Sequence, residues 1–377
     1  MAAFAQSTLI SPQNPILLGI ESSCDECSAS VVRLVPGDGT RPRAEVLGLA
    51  TYSQISIHQP YGGVVPEIAS RNHLETINAM INEALSQAGH PHLDAIAVTN
   101  RPGLVGALLV GVSAAKALAY ALDKPLVPVH HLEGHAASLY LTEPHVGTQA
   151  PDVRLPLLLA IVSGGHTNLH VVQESPLHWP EGFLAKSRIG QSIDDAAGEA
   201  FDKTAKILGF PYPGGVWIDR TAQEKKGDPN AFDFPRALPR KDSFDFSFSG
   251  LKTAVAIQTE KLRRADQLEE RIGDLCASIQ EAIVDQLAGK IERAVKLHGC
   301  KQVAIVGGVA ANSRLRSRME ENWKKIGCEA PPLYPNLAWC TDNAAMIASA
   351  GAFRYHQGHF LQGEARLTLN ALAHMEA

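Results

Sequence analysis

The chain has 377 residues, of which 45% are hydrophobic and 19% charged, and its net charge is −5. This length predicts more than one folding unit, and the composition is typical of a globular protein. No apolar run reaches the roughly 18 residues that a membrane-spanning helix needs. Residues 1–13 contain no Lys or Arg, so they do not resemble a secretory signal or a transit peptide. The six Cys are scattered without a disulfide-type framework, and a cytoplasmic protein is predicted.

Strands and helices are predicted to alternate along the first third of the chain. The helical spacing of Leu74, Ile77, Ile81 and Leu85 marks the first long helix. The predicted elements are strands at 15–20 and 29–34, a helix at 72–88, a strand at 93–99, a helix from about 103 to 122 and a strand at 125–129. This order predicts an α/β fold with a parallel or mixed sheet.

The second half of the chain repeats this style. Apolar runs predict strands at 155–162 and 302–306, and a helix begins near Asn312. Between them, apolar residues form one helical stripe from Leu268 to Val295, and its length predicts two helices with a break. Buried strands followed by polar turns recur in both halves. We therefore predict two related α/β lobes facing a cleft, with ligands at the carboxyl ends of the strands.

The run His131-Leu132-Glu133-Gly134-His135 places two imidazoles four residues apart, on one face of a helix. Such a pair can hold one metal ion. A metalloprotease would need H-E-x-x-H, with the glutamate directly after the first histidine. Glu133 instead lies about 200° round the helix axis from His131, so it faces away from the metal. Hydrolysis by that route is not predicted.

A third ligand is needed, and Asp342 offers a carboxylate at the start of an Ala-rich helix. Two His and one carboxylate leave open coordination positions, which suits iron(II) or zinc. The same residue type is also a common helix N-cap. The residues alone leave both roles of Asp342 open.

Two glycine turns follow buried strands and could bring the backbone close to a ligand. The first is formed by Ile161, Val162, Ser163, Gly164 and Gly165, whose N–H groups could cradle a phosphate. The second, Gly307-Gly308, precedes the helix near Asn312. Neither turn is a Walker A loop or a G-x-G-x-x-G fingerprint. Together they predict a nucleotide-shaped ligand.

The densest polar cluster of the chain runs from Asp194 to Lys203. Glu199 and Lys203 have the spacing of a surface ion pair, but Asp195, Glu199 and Asp202 would also share one helix face. A row of carboxylates is unfavourable without a ligand or a cation. Asp219, shortly after the Pro213-Gly214-Gly215 turn, could accept hydrogen bonds from ribose hydroxyls.

Many of these features occur in a fixed order with further motifs. The ordered motifs are Gly19-Ile20-Glu21-Ser22-Ser23-Cys24-Asp25-Glu26, Gly62 to His73, Gly103 to Leu108, His131 to His135, Ser163-Gly164-Gly165-His166-Thr167, Asp194 to Lys203, Tyr212-Pro213-Gly214-Gly215, Asp245 to Thr253, Gly307 to Asn312 and Thr341-Asp342-Asn343. From about Leu17 to Ala350 the chain resembles the tRNA adenosine threonylcarbamoyltransferases of the TsaD type, once called O-sialoglycoprotein endopeptidases.

The resemblance implies an actin-like (ASKHA) fold of two RNase H-like lobes, with residues 1–130 completed by 340–377 in the first and 131–339 in the second. It implies a divalent metal, iron(II) or else zinc, and transfer of threonylcarbamoyl from threonylcarbamoyl-AMP to N6 of adenosine 37 in tRNAs reading codons that begin with adenine. TsaB-type and TsaE-type partners are implied as well. The implied metal ligands are His131, His135 and Asp342. The implied substrate contacts are Ile161, Val162, Ser163, Gly164, Gly165, Asp202, Gly215, Asp219 and Asn312.

The chain departs from the family pattern at two positions. Arg101 stands where glycine is usual, and Cys27 where threonine is usual. No residue is singled out as the general base, although Asp25 and Glu26 are candidates. Two other functions stay open: an ATPase or sugar kinase of the same fold class, with Mg²⁺ held by carboxylates, and a non-catalytic scaffold.

Overall fold

A computed structural model describes residues 13–37, 41–144, 151–238 and 243–374 of the chain. The described residues divide into two compact units. The first lies within Met1–Val153, Glu174–Glu181 and Asp342–Ala377, and the second within Arg154–Gln173 and Gly182–Thr341. The first unit therefore includes the described residues 131–144 and 151–153, which the sequence-based division places in the second lobe. None of the described helices is long and apolar enough to cross a membrane.

The first unit contains a six-stranded mixed sheet with the order β5-β4-β1-β2-β3-β6. Its strands are β1 (Ile16–Glu21), β2 (Glu26–Val35), β3 (Arg43–Ser53), β4 (Ala95–Arg101), β5 (Leu126–His130) and β6 (Leu141–Thr142). The central strand β1 pairs antiparallel with β2 and parallel with β4. Strands β1 and β4 are buried almost throughout, as expected for apolar runs covered on both faces. The predicted strands of this region are confirmed.

The helices that follow these strands are α1 (Ile55–His58), α2 (Pro66–Gln87), α3 (Val105–Ala121) and α4 (His131–Ala137). Helix α2 starts earlier than predicted because Pro66, whose fixed φ suits the first helical turn, begins it. Helix α4 follows β5 without a loop. The ring Nδ1 of His130 accepts a hydrogen bond from Leu132 N (3.2 Å) and caps this short helix.

The second unit contains a four-stranded sheet with the order β10-β7-β8-β9. Its strands are β7 (Leu157–Val162), β8 (Thr167–Val172), β9 (Arg188–Gln191) and β10 (Gln302–Val306). Strands β7 and β10 are parallel, so the turns at their carboxyl ends lie at the same edge of the sheet. Gly307 lies so close to β7 that an added Cβ would be 2.5 Å from the Val162 carbonyl oxygen.

The helices of the second unit are α5 (Phe183–Ser187), α6 (Ala197–Leu208), α7 (Gly214–Glu224), α8 (Ser249–Arg264), α9 (Leu268–His298) and α10 (Ser313–Asn322). The prediction of two helices between Leu268 and Val295 is wrong, because α9 is one helix of 31 residues. It contains no Pro, and its apolar stripe is buried along most of its length, so nothing in the chain interrupts it.

The last helix, α11 (Ala344–His356), returns to the first unit and packs on β1 and β2. Gly19 allows this close approach, since an added Cβ there would be 2.6 Å from Ala348 N. Asn343 caps α11 by accepting a hydrogen bond from Met346 N (3.0 Å). The cap is therefore Asn343, and the carboxylate of the preceding Asp342 is left for another role.

Candidate metal centre and nucleotide contacts

Three side chains of the first unit converge on one point. His131 and His135 project from α4, and Asp342 lies just before the cap of α11. The Asp342 Oδ1 atom is 3.2 Å from His135 Nε2 and 3.5 Å from His131 Nε2. The ligand atoms of the three residues all lie within 4.8 Å of one another. Asp342 thus joins two histidines that precede it by 207 and 211 positions in the chain.

The spacing of these atoms fits a single divalent ion. Because bonds from zinc to nitrogen or oxygen are about 2.0–2.2 Å long, two ligands of one tetrahedral ion lie about 3–4 Å apart. His135 is fully buried: its Nε2 faces only Asp342 Oδ1, at 3.2 Å, and its Nδ1 has no hydrogen-bond partner among the described residues. A buried imidazole of this kind is unfavourable unless something binds it. The three residues can therefore hold a divalent metal with coordination positions left open.

A second carboxylate fixes the orientation of His131. Glu21, at the buried end of β1, places its Oε2 atom 3.0 Å from His131 Nδ1. The same oxygen accepts a hydrogen bond from Thr99 (2.7 Å). Burial opposes ionisation of Glu21, but the charge and hydrogen bond of His131 hold its pKa below the usual value. With Nδ1 engaged by Glu21, the Nε2 atom of His131 is directed at Asp342.

Acidic groups surround this cluster. Burial raises the pKa of Glu26 well above its usual value, and the negative charges of Asp25 and Asp342 raise it further. Burial also opposes ionisation of Asp342, yet the neighbouring imidazoles hold its pKa well below the usual value. The pKa values of Glu26 and Asp342 thus move in opposite directions, because negative charges surround the first and imidazoles the second.

The Glu133 side chain points away from the metal ligands, as the helical geometry predicts. Its two carboxylate oxygens accept hydrogen bonds from Arg354 Nε (2.7 Å) and Nη2 (3.2 Å) on α11. A carboxylate held in this way is not available to activate a metal-bound water. Both its position on the helix and its contact with Arg354 therefore keep Glu133 from the place of a metalloprotease base.

In the second unit, the first glycine turn follows β7 directly. Ile161 and Val162 end the buried strand, and Ser163 N donates to the His166 carbonyl (2.8 Å) to close the turn. Gly164 and Gly165 are exposed, and an added Cβ at either would meet no atom within 4 Å. The turn therefore presents its backbone to solvent beside the Gly307 turn.

Asp219 lies at the centre of a hydrogen-bonded group in the same unit. Its carboxylate accepts bonds from Ser313 Oγ (2.7 Å), Gln280 Nε2 (2.8 Å) and Gln223 Nε2 (3.0 Å). Asn312, the residue before Ser313, caps α10 by accepting a bond from Leu315 N (3.0 Å). A cavity of about 440 Å³ adjoins this group, and Gln223, Gln280 and Ser313 line it. Its volume is in the range of small-ligand sites.

Asp202 and Gly215 belong to the junction between α6 and α7. The Asp202 carboxylate accepts a hydrogen bond from Gly214 N (2.7 Å) at the first turn of α7. Gly215 lies against Phe201, the neighbour of Asp202. Lys203 pairs with Asp195 and with Glu199 (2.5 and 2.7 Å), so this lysine neutralises part of the predicted carboxylate row.

Sequence reasoning did not assign roles to Glu21, Gln280 or Arg354. Two sequence features mark such residues. Glu21 is a carboxylate that ends an otherwise apolar strand, and Gln280 and Arg354 are polar residues within apolar helical faces. Their partners lie far away in the chain. The role of each is therefore visible only in the folded protein.

The two departures from the family pattern lie in the first unit. Cys27 is fully buried in β2, and burial raises its pKa to about 11, so it packs as a small apolar residue. Arg101 ends β4 at a register shift opposite His130. Neither residue is a member of the three-residue metal cluster.

The two mixed sheets with their flanking helices define an α/β protein of the actin-like (ASKHA) fold, and its His–His–Asp cluster could hold a divalent metal ion. The chain is similar to the crystal structure of HypF from T. kodakarensis, with a TM-score of 0.51 and 15% identity, covering 94% of this chain and 49% of that one. At this identity the likeness concerns the fold alone.

The family is shown by sequence. The model of the family described as "TsaD: tRNA N6-adenosine threonylcarbamoyltransferase" matches residues 45–349, and the chain belongs to this family. A Bacillus cereus protein named tRNA N6-adenosine threonylcarbamoyltransferase is 47% identical over 96% of this chain and 96% of its own length. One from Geotalea uraniireducens with the same name is 48% identical over 92% and 93%. The predicted family and the predicted enzyme class are confirmed.

Proposed function

We propose that this chain transfers the threonylcarbamoyl group from threonylcarbamoyl-AMP to N6 of adenosine 37 in tRNAs that read codons beginning with adenine. The observation that carries the proposal is membership of the transferase family, with relatives 47% identical over 96% of the chain. The reaction forms a bond from N6 to the carbamoyl carbon and breaks the bond from that carbon to the AMP phosphate oxygen. One amine proton is released.

His131, His135 and Asp342 would hold a divalent metal, with iron(II) preferred and zinc as the alternative. Bound there, the metal would supply a Lewis acid that orients and polarises the threonylcarbamoyl group. The protein contributes the orientation of the ligands, since Glu21 fixes the His131 ring. It also contributes burial, because both imidazoles are shielded from water.

The AMP part would be bound by the second unit, through Ile161 to Gly165, Asp202, Gly215, Asp219 and Asn312. The hydrogen bonds around Asp219 support this assignment, because a ribose hydroxyl could replace Gln223 or Ser313 as a donor to the same carboxylate. The exposed glycine turn after β7 leaves backbone N–H groups accessible for a phosphate. These groups would position the donor and stabilise the departing AMP.

Asp25 and Glu26 are the candidates for receiving the proton from the N6 amine. Glu26 lies close enough to Asp342 for that negative charge to raise its pKa, and a carboxyl group with a raised pKa can hold a proton. The attacking adenine would be presented from the anticodon loop, where a base can be splayed out at modest free-energy cost.

TsaB-type and TsaE-type partners and a cytoplasmic location are part of the proposal, on the strength of the family resemblance and of tRNA as the substrate. Two arginines of the 314–318 segment are engaged within the protein, since Arg314 pairs with Glu281 and Arg318 lies 3.6 Å from Glu292. This basic segment is therefore a poor choice for the tRNA-docking surface.

The decisive experiment is reconstitution with tRNA, threonylcarbamoyl-AMP and the two partners, with modified adenosine quantified by mass spectrometry. We expect product from the wild-type chain and at least an approximately 100-fold loss for Asp342→Ala, since a metal ligand is removed. Glu75→Ala, at an exposed carboxylate on α2 of the same unit, is the control. Absence of product with every component present would support a scaffold, and activity that needs only Mg²⁺ and survives Asp342→Ala would support an ATPase or kinase.

A further inference from the structure

One buried ion pair lies directly behind the candidate metal centre. Glu133 stands between the two histidines in sequence, and only 5% of its surface is exposed. Arg354 of α11 is 9% exposed and donates two hydrogen bonds to the Glu133 carboxylate. Neither residue belongs to the cluster of metal-ligating side chains.

Stability alone does not account for a pair of this kind. Removing two charges from water is unfavourable, and apolar residues of similar volume often replace buried ion pairs without loss of stability. What the pair provides is geometry. The planar guanidinium of Arg354 holds both carboxylate oxygens at once, so it fixes the orientation of Glu133 as well as its distance.

The two helices joined by this pair carry all three ligands. Helix α4 contains His131 and His135, and α11 begins two residues after Asp342. The helices also meet at Gly134, where an added Cβ would be 2.6 Å from Ile347 Cδ1. A small shift of α4 along α11 would therefore change the distances of 3.2 and 3.5 Å from Asp342 Oδ1 to the two imidazoles.

We infer that Glu133 and Arg354 are a positioning pair, which fixes α4 against α11 and so sets the geometry of the metal site. Neither Glu133 nor Arg354 is one of the three candidate ligands. The inference rests on the proposed function, because it takes His131, His135 and Asp342 as the metal ligands. It assigns to the glutamate within the H-x-E-x-H run a role that is neither ligation nor proton transfer.

The test is the affinity of the full-length, chelator-stripped protein for Zn²⁺, measured by competition with a chromophoric chelator. The main variant is the double change Glu133→Met and Arg354→Met, which removes both charges and preserves volume, so that the fold is retained. We expect its Zn²⁺ dissociation constant to rise about 10- to 100-fold, the range seen when groups that orient metal ligands are removed. Arg354→Lys, which keeps the charge but loses the planar fork, should give a smaller rise.

The matched control is Glu281→Met with Arg314→Met. That pair is also bidentate, at 2.6 and 2.8 Å, but it lies in the second unit, which carries none of the three ligands. Its Zn²⁺ affinity should stay within about twofold of wild type. Thermal unfolding of every variant separates altered metal binding from altered stability.

The positioning role and the metal assignment can fail separately. If the Glu133/Arg354 double variant binds Zn²⁺ with wild-type affinity, the pair has only a structural role. If that variant does not fold, wild-type Zn²⁺ affinity and an unchanged Co²⁺ absorption spectrum in Arg354→Lys would lead to the same conclusion. If His131→Ala leaves Zn²⁺ affinity unchanged, the metal assignment itself fails. If Zn²⁺ affinity falls in His131→Ala but not in the Glu133 and Arg354 variants, the metal assignment stands and only the positioning role is refuted.

Discussion

The candidate metal site of His131, His135 and Asp342 differs from the Asp219 region in how its polar groups are held. In the first, both histidines are buried, and Glu21 fixes the ring of His131. In the second, Asp219 is half-buried and its hydrogen-bond donors are neutral side chains that a ligand can displace. A resident ion benefits from preset donors and exclusion of water, whereas a nucleotide that enters and leaves needs accessible groups.

The largest effect should come from removing a ligand of the first region. His135→Ala should weaken metal binding by more than about 100-fold, since one of three protein ligands is lost from a buried site. Metal content after purification, measured by mass spectrometry, checks this. His92→Ala, at an exposed histidine of the same unit, should keep its metal. Equal metal content in both variants would show that the cluster is not the site.

Changing the second region should leave the metal in place and weaken nucleotide binding. Asp219→Ala removes the acceptor proposed for a ribose hydroxyl, and an approximately tenfold loss of AMP affinity is expected, corresponding to about 1.4 kcal/mol. Isothermal titration calorimetry with AMP measures it. Asp233→Ala, at a fully exposed aspartate of the same unit, is the control. Loss of bound metal in Asp219→Ala would contradict the separation of the two regions.

Histidines in the two units respond oppositely to their surroundings. Burial opposes protonation of His131, but Asp342 and Glu21 raise its pKa well above the usual value. Burial beside Arg188 lowers the pKa of His170 in β8 to about 3. Between about pH 6.5 and 3, His170 therefore binds a proton in the unfolded chain but not in the folded one, and its contribution to stability is lost as the pH falls through this window.

We expect His170 to lower the free energy of unfolding by about 2 kcal/mol as the pH falls from 6.5 to 5, since each pH unit corresponds to about 1.4 kcal/mol. Urea unfolding of wild type and His170→Gln at pH 7 and pH 5 measures the difference. The variant should lose less stability on acidification than wild type. Identical pH dependence in the two proteins would show that His170 is not buried in its neutral form.

The smallest effects should come from the two asparagine helix caps. Asn343→Ala on α11 and Asn312→Ala on α10 each remove one cap hydrogen bond, which should lower stability by about 1 kcal/mol. Their other effects should differ, because Asn343 follows the proposed metal ligand Asp342, whereas Asn312 precedes Ser313, which donates a hydrogen bond to Asp219. Thermal unfolding together with Zn²⁺ and AMP titrations tests this, and the same binding defect in both variants would contradict it.

Much of the candidate site was predictable because its determinants are local. The spacing of His131 and His135 sets them on one helix face, and the same periodicity turns Glu133 away. The glycine turns after β7 and β10 follow from apolar runs that end in small polar residues. Asp342 was different, since its residue type suits a cap as well as a ligand, and only the structure assigns the cap to Asn343.

The sequence by itself thus determined strands β1, β2, β4, β5, β7 and β10, the long helices α2 and α3, the two-histidine face and the family to which the chain belongs. It did not predict strands β3, β6, β8 and β9, whose apolar runs are shorter or interrupted by polar residues. The tertiary structure alone decided which distant groups meet. It joins Asp342 to α4, Glu21 to His131 and Arg354 to Glu133, and it keeps α9 continuous through the core of the second unit. The physical reason is that periodicity and capping act over a few residues, whereas these contacts depend on how β1, α4 and α11 pack together.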